Sequence, residues 1–157
     1  MDYIIRKAEQ EDAKGIHEVI LVSFEEFREH YSPEGFTDTV MSENIALQRI
    51  NEMTLFVAVD QKGIIIGTIG WRVVSDKEGH IRGMAVHPEN QGKDSPAAEL
   101  LQKVEEDARS QGISLLTLDT TAPLQRAQSF YKKHGFKETG KTGDFFGTRI
   151  YEFAKEI

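Results

Sequence analysis

Three groups of residues in this 157-residue chain could do chemistry. The first, GFKETGKT from Gly135 to Thr142, matches the phosphate-binding pattern G-x-x-x-x-G-K-[ST] letter for letter. That pattern cradles a nucleotide only where a strand enters and a helix leaves, so that backbone N–H groups and the helix N-terminus converge on phosphate. Here the helical string RAQSFYKKH enters, and GDFFGTRIYEFA, with two glycines and then alternating apolar residues, leaves. The residues after the match are too few for a later strand bearing the acidic magnesium partner. A Gly-rich hairpin connection is the expectation. The second group is the histidines. His17, His30, His80, His87 and His134 lack HExxH or other ligand spacing, and no G-x-S-x-G elbow is present. With no cysteine there is no disulfide, thiolate metal site or cysteine nucleophile, which fits a reducing cytosol. No metal is expected.

The third group is an order of parts. Val86-His87-Pro88 ends a strand, Gln91 to Ser95 form a polar turn, and a helix runs from Pro96 to Gln111. An exposed helix start offers orphan N–H donors and about half a positive charge to an anion. Such local holding is required here, because 19 Lys and Arg against 26 Asp and Glu give a net charge of -7. That average field repels nucleic acid and acidic membranes, so neither is an expected partner. The acidic run Glu105-Glu106-Asp107 lies opposite Leu101 and Val104 on the helix and reads as a solvated surface.

The elements that must position these groups alternate along the chain. Tyr3 to Lys7 reads as a strand, and Asp12 to about Glu29 as a helix with Ile16, Val19, Ile20, Ser23, Phe24 and Phe27 on one side. Tyr31 to Phe36, with Ser32-Pro33 and Gly35, breaks it. A second helix starts at Asp38 or Ser42, uses Ile45, Leu47 and Ile50 as its apolar residues, and ends near Glu52. Thr54 to Asp60 and Ile64 to Val74 form a hairpin about the turn Gln61-Lys62-Gly63. His80 to Val86 is a strand, Pro96 to Gln111 a helix stopped by Gly112, and Leu115 to Thr121 a buried strand. Leu124 to His134 is a helix, and Phe136 to Thr139 and Thr148 to Ala154 are closing strands. The N-terminus, MDYIIRKAEQED, meets acidic residues before an apolar stretch develops, and GIIIGTIGW is too short to span a bilayer. One domain over 1–157 in the cytoplasm is expected.

The arrangement in AVHPENQGKDSPAAELLQKVEEDA and then TLDTTAPLQRAQSFYKKHGF resembles the GNAT superfamily of N-acetyltransferases. The resemblance implies an α/β (α+β) fold: a mixed, largely antiparallel central sheet of about seven strands flanked by four helices. It implies acetyl-CoA as co-substrate, and a small-molecule amine or peptide amine as acceptor. By that resemblance Met84, Ala85 and Val86 offer backbone groups to the acyl carbonyl and pantetheine. Gln91, Gly92 and Lys93 reach the pyrophosphate, and Ser95, Pro96 and Ala97 open the helix beneath it. Tyr131 protonates the leaving thiolate, the Met84 amide stabilises the oxyanion, and His80 stands where some members carry a glutamate base. Glu78 and a water chain are the alternatives to His80.

Three positions depart from the family pattern. Asp94 and Pro96 stand where small residues are usual, and Leu124 where many members have asparagine. The rival reading is a ligand-sensing or interaction domain whose pyrophosphate loop has eroded, with Asp94 or Ser95 serving only as a helix cap. For the acceptor, the resemblance assigns the first two helices and the last hairpin. These supply Phe27, Tyr31, Phe36, Trp71, Phe145, Phe146 and Tyr151, with Glu25, Glu26 and Glu29 nearby, a set suited to a cationic amine. A homodimer through edge strands or the C-terminal hairpin is compatible with the resemblance.

Overall fold

A computed structural model describes residues 2–157. Strands β1 (Tyr3–Lys7), β2 (Thr54–Asp60), β3 (Ile65–Val73), β4 (Glu78–Val86), β5 (Leu115–Thr121), β6 (Lys137–Phe145) and β7 (Thr148–Glu156) form one sheet in the order β1-β2-β3-β4-β5-β7-β6. Only β4 and β5 run parallel, joined by the crossover helix α4 (Ala97–Ser110). The expected sheet is therefore present.

Its two faces bury separate cores. On one, Leu100, Leu101, Val104 and Ala108 of α4 pack over Phe56, Ala58, Ile69, Trp71, Ile81, Leu116, Leu118 and Phe153. On the other, helix α1 (Ala13–Phe24) sets Ile16, Val19 and Ile20 against Leu55, Val57 and Val59. Alternate residues of the apolar run TLFVAVD thus serve opposite cores, as expected for a strand covered on both sides.

Among the described residues five α-helices are present where four were expected. The segment read as a break contains α2 (Pro33–Thr39), because the Ser32 hydroxyl accepts from the Gly35 amide at 3.1 Å and Pro33 occupies the first helical position. Proline starts a helix as readily as it stops one, since its missing N–H has no partner at that position anyway. Helix α1 ends at Phe24, and the chain continues as tighter 3-10 turns over Glu25–His30. Helix α3 (Glu43–Glu52) is capped by Ser42 and buries Ala46, leaving Ile45 and Leu47 partly in solvent. The last helix, α5, spans Gln125–Lys133.

Two further expectations are corrected. The phosphate-loop match begins in the turn after the last helix and from Lys137 continues as the extended strand β6, with no helix after it; the hairpin tip is at Phe146-Gly147 instead. The acidic run is not uniformly solvated. Glu105 is 8% exposed and holds Lys155 of β7 at 2.9 Å, while Asp107 accepts from the Trp71 indole at 2.9 Å. Both carboxylates reach around the apolar stripe of α4 to the sheet, which a helical projection alone does not reveal.

The feature that creates a site lies midway along β4. Thr68 pairs with Ala85 and Gly70 with Arg82, so Ile69 faces both Gly83 and Met84 in a β-bulge. Gly83 has φ +73, a conformation that a side chain would strain. Pairing between β4 and β5 also stops, its last partners being Ile81 and Leu118. Beyond them the strands separate into a cleft.

Candidate active site

The cleft is floored by Met84 on β4 and closed by α5. The Tyr131 hydroxyl donates to the Met84 thioether sulfur at 3.3 Å. The Tyr131 ring is held edge-on by Phe130 at 5.5 Å and Phe136 at 5.7 Å, so its direction is fixed by packing. Burial raises its pKa well above the ordinary tyrosine value, since a phenolate would be stranded without water. Tyr131 is therefore a protonated donor aimed at sulfur.

On β5, just past the last paired residue, the buried Thr120 hydroxyl has no hydrogen-bond partner among the described residues. An orphaned buried hydroxyl costs about 1–3 kcal/mol unless a ligand satisfies it. Across the sheet, Thr121 Oγ1 and the Tyr31 hydroxyl share a 2.5 Å hydrogen bond, which ties the chain before α2 to the end of β5.

The turn after β4 tests whether a diphosphate fits. The Gln91 amide folds back to donate to the Val86 carbonyl at 3.0 Å, fixing the start of the loop. Gly92 has φ +98 and open space where a Cβ would stand. Among the described residues, the amides of Gly92, Lys93, Asp94 and Ala98 have no protein acceptor. Pro96 is the residue capping α4, and Ser95 Oγ already accepts from the Ala97 amide at 3.1 Å. Asp94 is exposed and makes no cap. The helix entrance has thus lost two donors, while the loop amides beside Lys93 and the Ala98 amide of the first turn keep theirs, a set of donors with which a diphosphate is compatible. Pro96 has a packing role as well: its Cγ lies 3.4 Å from where a Cβ on Gly67 would stand, which seats α4 on β3.

His80 lies in the paired part of β4, opposite Thr117 of β5, just before the strands separate. Its Nδ1 lies 2.8 Å from Thr117 Oγ1 and its Nε2 3.7 Å from Asp119 Oδ2. Thr117 also donates to the Gly79 carbonyl at 3.5 Å, leaving its oxygen to accept from Nδ1–H. In the tautomer with the proton on Nδ1, the lone pair stands on Nε2, facing Asp119. Burial lowers the His80 pKa, and Asp119 opposes the shift. His80 is therefore neutral near pH 7 and able to accept a proton. It stands four residues from Met84, about 13 Å along an extended strand, so a proton reaches it through water. Replacing His80 with Gln is expected to abolish the acid limb of the kcat/KM profile, which should lie below pH 6.5 in the wild type; a limb unchanged in the variant removes His80 from proton transfer. The same shift has a stability sign. The unfolded chain binds the proton first as pH falls, so stability is lost below about pH 6.5 and this loss is smaller in His80→Gln.

Other expected residues are placed differently. Leu124 caps α5 without a polar contact, and Gln128 takes the polar work there, donating to the Thr121 and Ala122 carbonyls at 3.2 and 3.3 Å. Trp71 packs in the α4 core, and Tyr31 and Phe36 are buried in the other. Glu25 is paired with Arg28 and Glu26 with Arg126. The expected aromatic and acidic acceptor lining is thus largely spent on the fold. Arginines were missed: Arg49, Arg72 and Arg82 line one cavity on this side, brought together by β3–β4 pairing and α3. Among the described residues no three potential metal ligands converge, and no helix is long and apolar enough to cross a membrane.

Known proteins share this plan. In a search of solved structures, PaiA N-acetyltransferase from Thermoplasma acidophilum, crystallised in complex with coenzyme A, superposes with TM-score 0.85 at 22% identity, covering all of both chains. Ard1 from Thermoplasma volcanium gives TM-score 0.83 at 18% identity, covering 100% of this chain and 99% of that one. In sequence, 103 residues (62% of this chain) are 29% identical to mouse "Probable N-acetyltransferase family 8 member 5". The match spans 45% of that longer protein. A family model described as "Acetyltransferase (GNAT) family" matches residues 16–136, from α1 through the segment bearing Tyr131, and the chain belongs to that family.

Proposed function

We propose that the protein transfers an acetyl group from acetyl-CoA to an amine by direct attack within a ternary complex. The observation that carries this reading is Tyr131, a buried phenol already donating to a sulfur atom at the open end of the β4–β5 cleft. When bound, acetyl-CoA supplies an acetyl group activated as a thioester. The loop amides of Gly92 to Asp94, with the Lys93 ammonium, hold the diphosphate; Met84, Ala85, Val86 and Thr120 flank the pantetheine.

Each chemical act then has a group. His80 receives, through water, the proton that the amine sheds as its nitrogen bonds to the carbonyl carbon. The Met84 amide, at the β-bulge opposite Ile69, donates to the carbonyl oxygen as charge builds there. Tyr131 gives its proton to the sulfur as the C–S bond breaks, while the Met84 thioether moves aside. No covalent enzyme intermediate is needed, in keeping with a chain that has no cysteine.

Thermal unfolding with acetyl-CoA, CoA and ATP added in turn tests the reading. At 100 times the dissociation constant a ligand adds about 2.7 kcal/mol, raising the midpoint by about 5–10 °C for a chain of this size. Acetyl-CoA and CoA are expected to give that shift and ATP none, since β6 offers no phosphate loop. A midpoint unmoved by either CoA species defeats the transferase reading and leaves a ligand-sensing domain.

A further inference from the structure

The side of the sheet carrying His80 is basic at its centre. Arg72 pairs with His80 across β3–β4, and residues paired in an antiparallel ladder share a face; Arg82 lies two residues further on the same face. Arg49 approaches from α3, and with Arg72 and Arg82 it lines an open cavity of about 670 Å³. Its Nη1 stands 3.9 Å from the point where a Cβ on Gly83 would be. Gly83 immediately precedes Met84, so this guanidinium lies beside the residue that leads into the amide assigned to the acyl oxygen.

Three positive groups here are poorly compensated. Arg82 meets Asp38 at 3.4 Å, a loose contact, and Glu52 lines the same cavity, while Arg49 and Arg72 have no ion-pair or hydrogen-bond partner among the described residues. Burial and the charge of Arg82 both disfavour the Arg49 cation, lowering its pKa. Arg72 and Arg82 are exposed and only Arg49 is partly buried, so the like charges are screened by water, yet an anion drawn between them would still relieve their repulsion. Arg49 also borders a second cavity of about 540 Å³, lined by Met41, Ile45 and the exposed ring of Phe146. One guanidinium therefore stands between the acyl site, a basic hollow and an apolar one.

Resting on the acyltransferase reading, we propose that the acceptor is an amine bearing an oxyanion, carboxylate or phosphate, a few atoms from its nitrogen. Arg49 and Arg82 clamp the oxyanion while the amine faces Met84, and an apolar substituent enters the Phe146 cavity. The planar fork of guanidinium suits a two-point grip on either oxyanion. A simple polyamine meets repulsion at the same place.

The test uses matched acceptors with acetyl-CoA and follows thiol release: phenylalanine against phenethylamine, leucine against isoamylamine, phosphoethanolamine against ethanolamine. In the wild type the anionic member of at least one pair is expected to have a kcat/KM higher by about 10- to 100-fold, the worth of one charge-assisted grip. The first two pairs score for carboxylate and the third for phosphate. Arg49→Gln and Arg82→Gln should collapse that ratio toward one, and Arg49→Lys should restore part of it. A wild type that prefers the plain amine in every pair, or variants that lower both members equally, overturns the proposal. Should no acceptor turn over, calorimetric titration with N-acetylphenylalanine and phosphoethanolamine decides. Binding of either that weakens at least tenfold in Arg49→Gln supports the clamp, and binding of neither to the wild type defeats it. Failure of the transferase reading is seen separately, as a midpoint that acetyl-CoA does not move.

Discussion

Tyr131→Phe is expected to lower kcat by about 100- to 10,000-fold at neutral pH, the usual worth of a positioned proton donor. The affinity for acetyl-CoA should change little, because the phenyl ring keeps its edge contacts with Phe130 and Phe136. Only one oxygen is lost, together with its 3.3 Å contact to the Met84 sulfur. Since burial keeps the phenol protonated, the wild-type rate should not fall on the alkaline side before the ordinary tyrosine range. Steady-state thiol release and a thermal shift with acetyl-CoA separate the two effects. A variant turning over within threefold of the wild type would show that the thiolate leaves without Tyr131.

The second large effect concerns stability. Lys155→Met should cost about 3 kcal/mol, at the low end for breaking a buried ion pair. It leaves the Glu105 carboxylate, only 10% exposed, facing an apolar side chain, with Arg109 at 3.4 Å as its remaining cation. The residual arginine and the 24% exposure of Lys155 keep the cost at that end. The melting midpoint should fall by about 6–12 °C. Adding Glu105→Leu should return most of the loss, because two apolar groups of similar shape replace an ion pair with little net change. A double variant no more stable than Lys155→Met would mean that the pair is not what holds α4 to β7.

Much of the fold was legible because its signals are local. Apolar runs about the turn Gln61-Lys62-Gly63 marked the buried hairpin of β2 and β3, Gly112 marked the end of α4, and the order of parts around Val86 to Phe136 pointed to the family. Tyr131 was singled out from one short string, and the structure places its hydroxyl against the Met84 sulfur. Helix α2 was not, because Ser32-Pro33 stops one helix and starts another with the same chemistry. Glu105 looked solvated because its partner, Lys155, is 50 residues away on β7. The basic cavity was least visible of all. Arg49, Arg72 and Arg82 share no local pattern, and they meet only once α3 covers β3 and β4 in the observed register. The acidic composition pointed the other way, since net charge averages over a surface and says nothing of one hollow.

The outermost strand, β6, has a further consequence. Eight of its nine residues are exposed, and its register with β7 slips between Glu138 and Thr142. Lys137, Glu138, Lys141 and Asp144 put charge along it, and Gly140 and Gly143 remove side chains that could zip against a neighbour. An open row of amides and carbonyls would otherwise invite stacking of copies into extended sheets; the kink and alternating ions deny it a flat, dry mate. The glycine-lysine letters that imitate a nucleotide loop thus act as a guard against fibril growth.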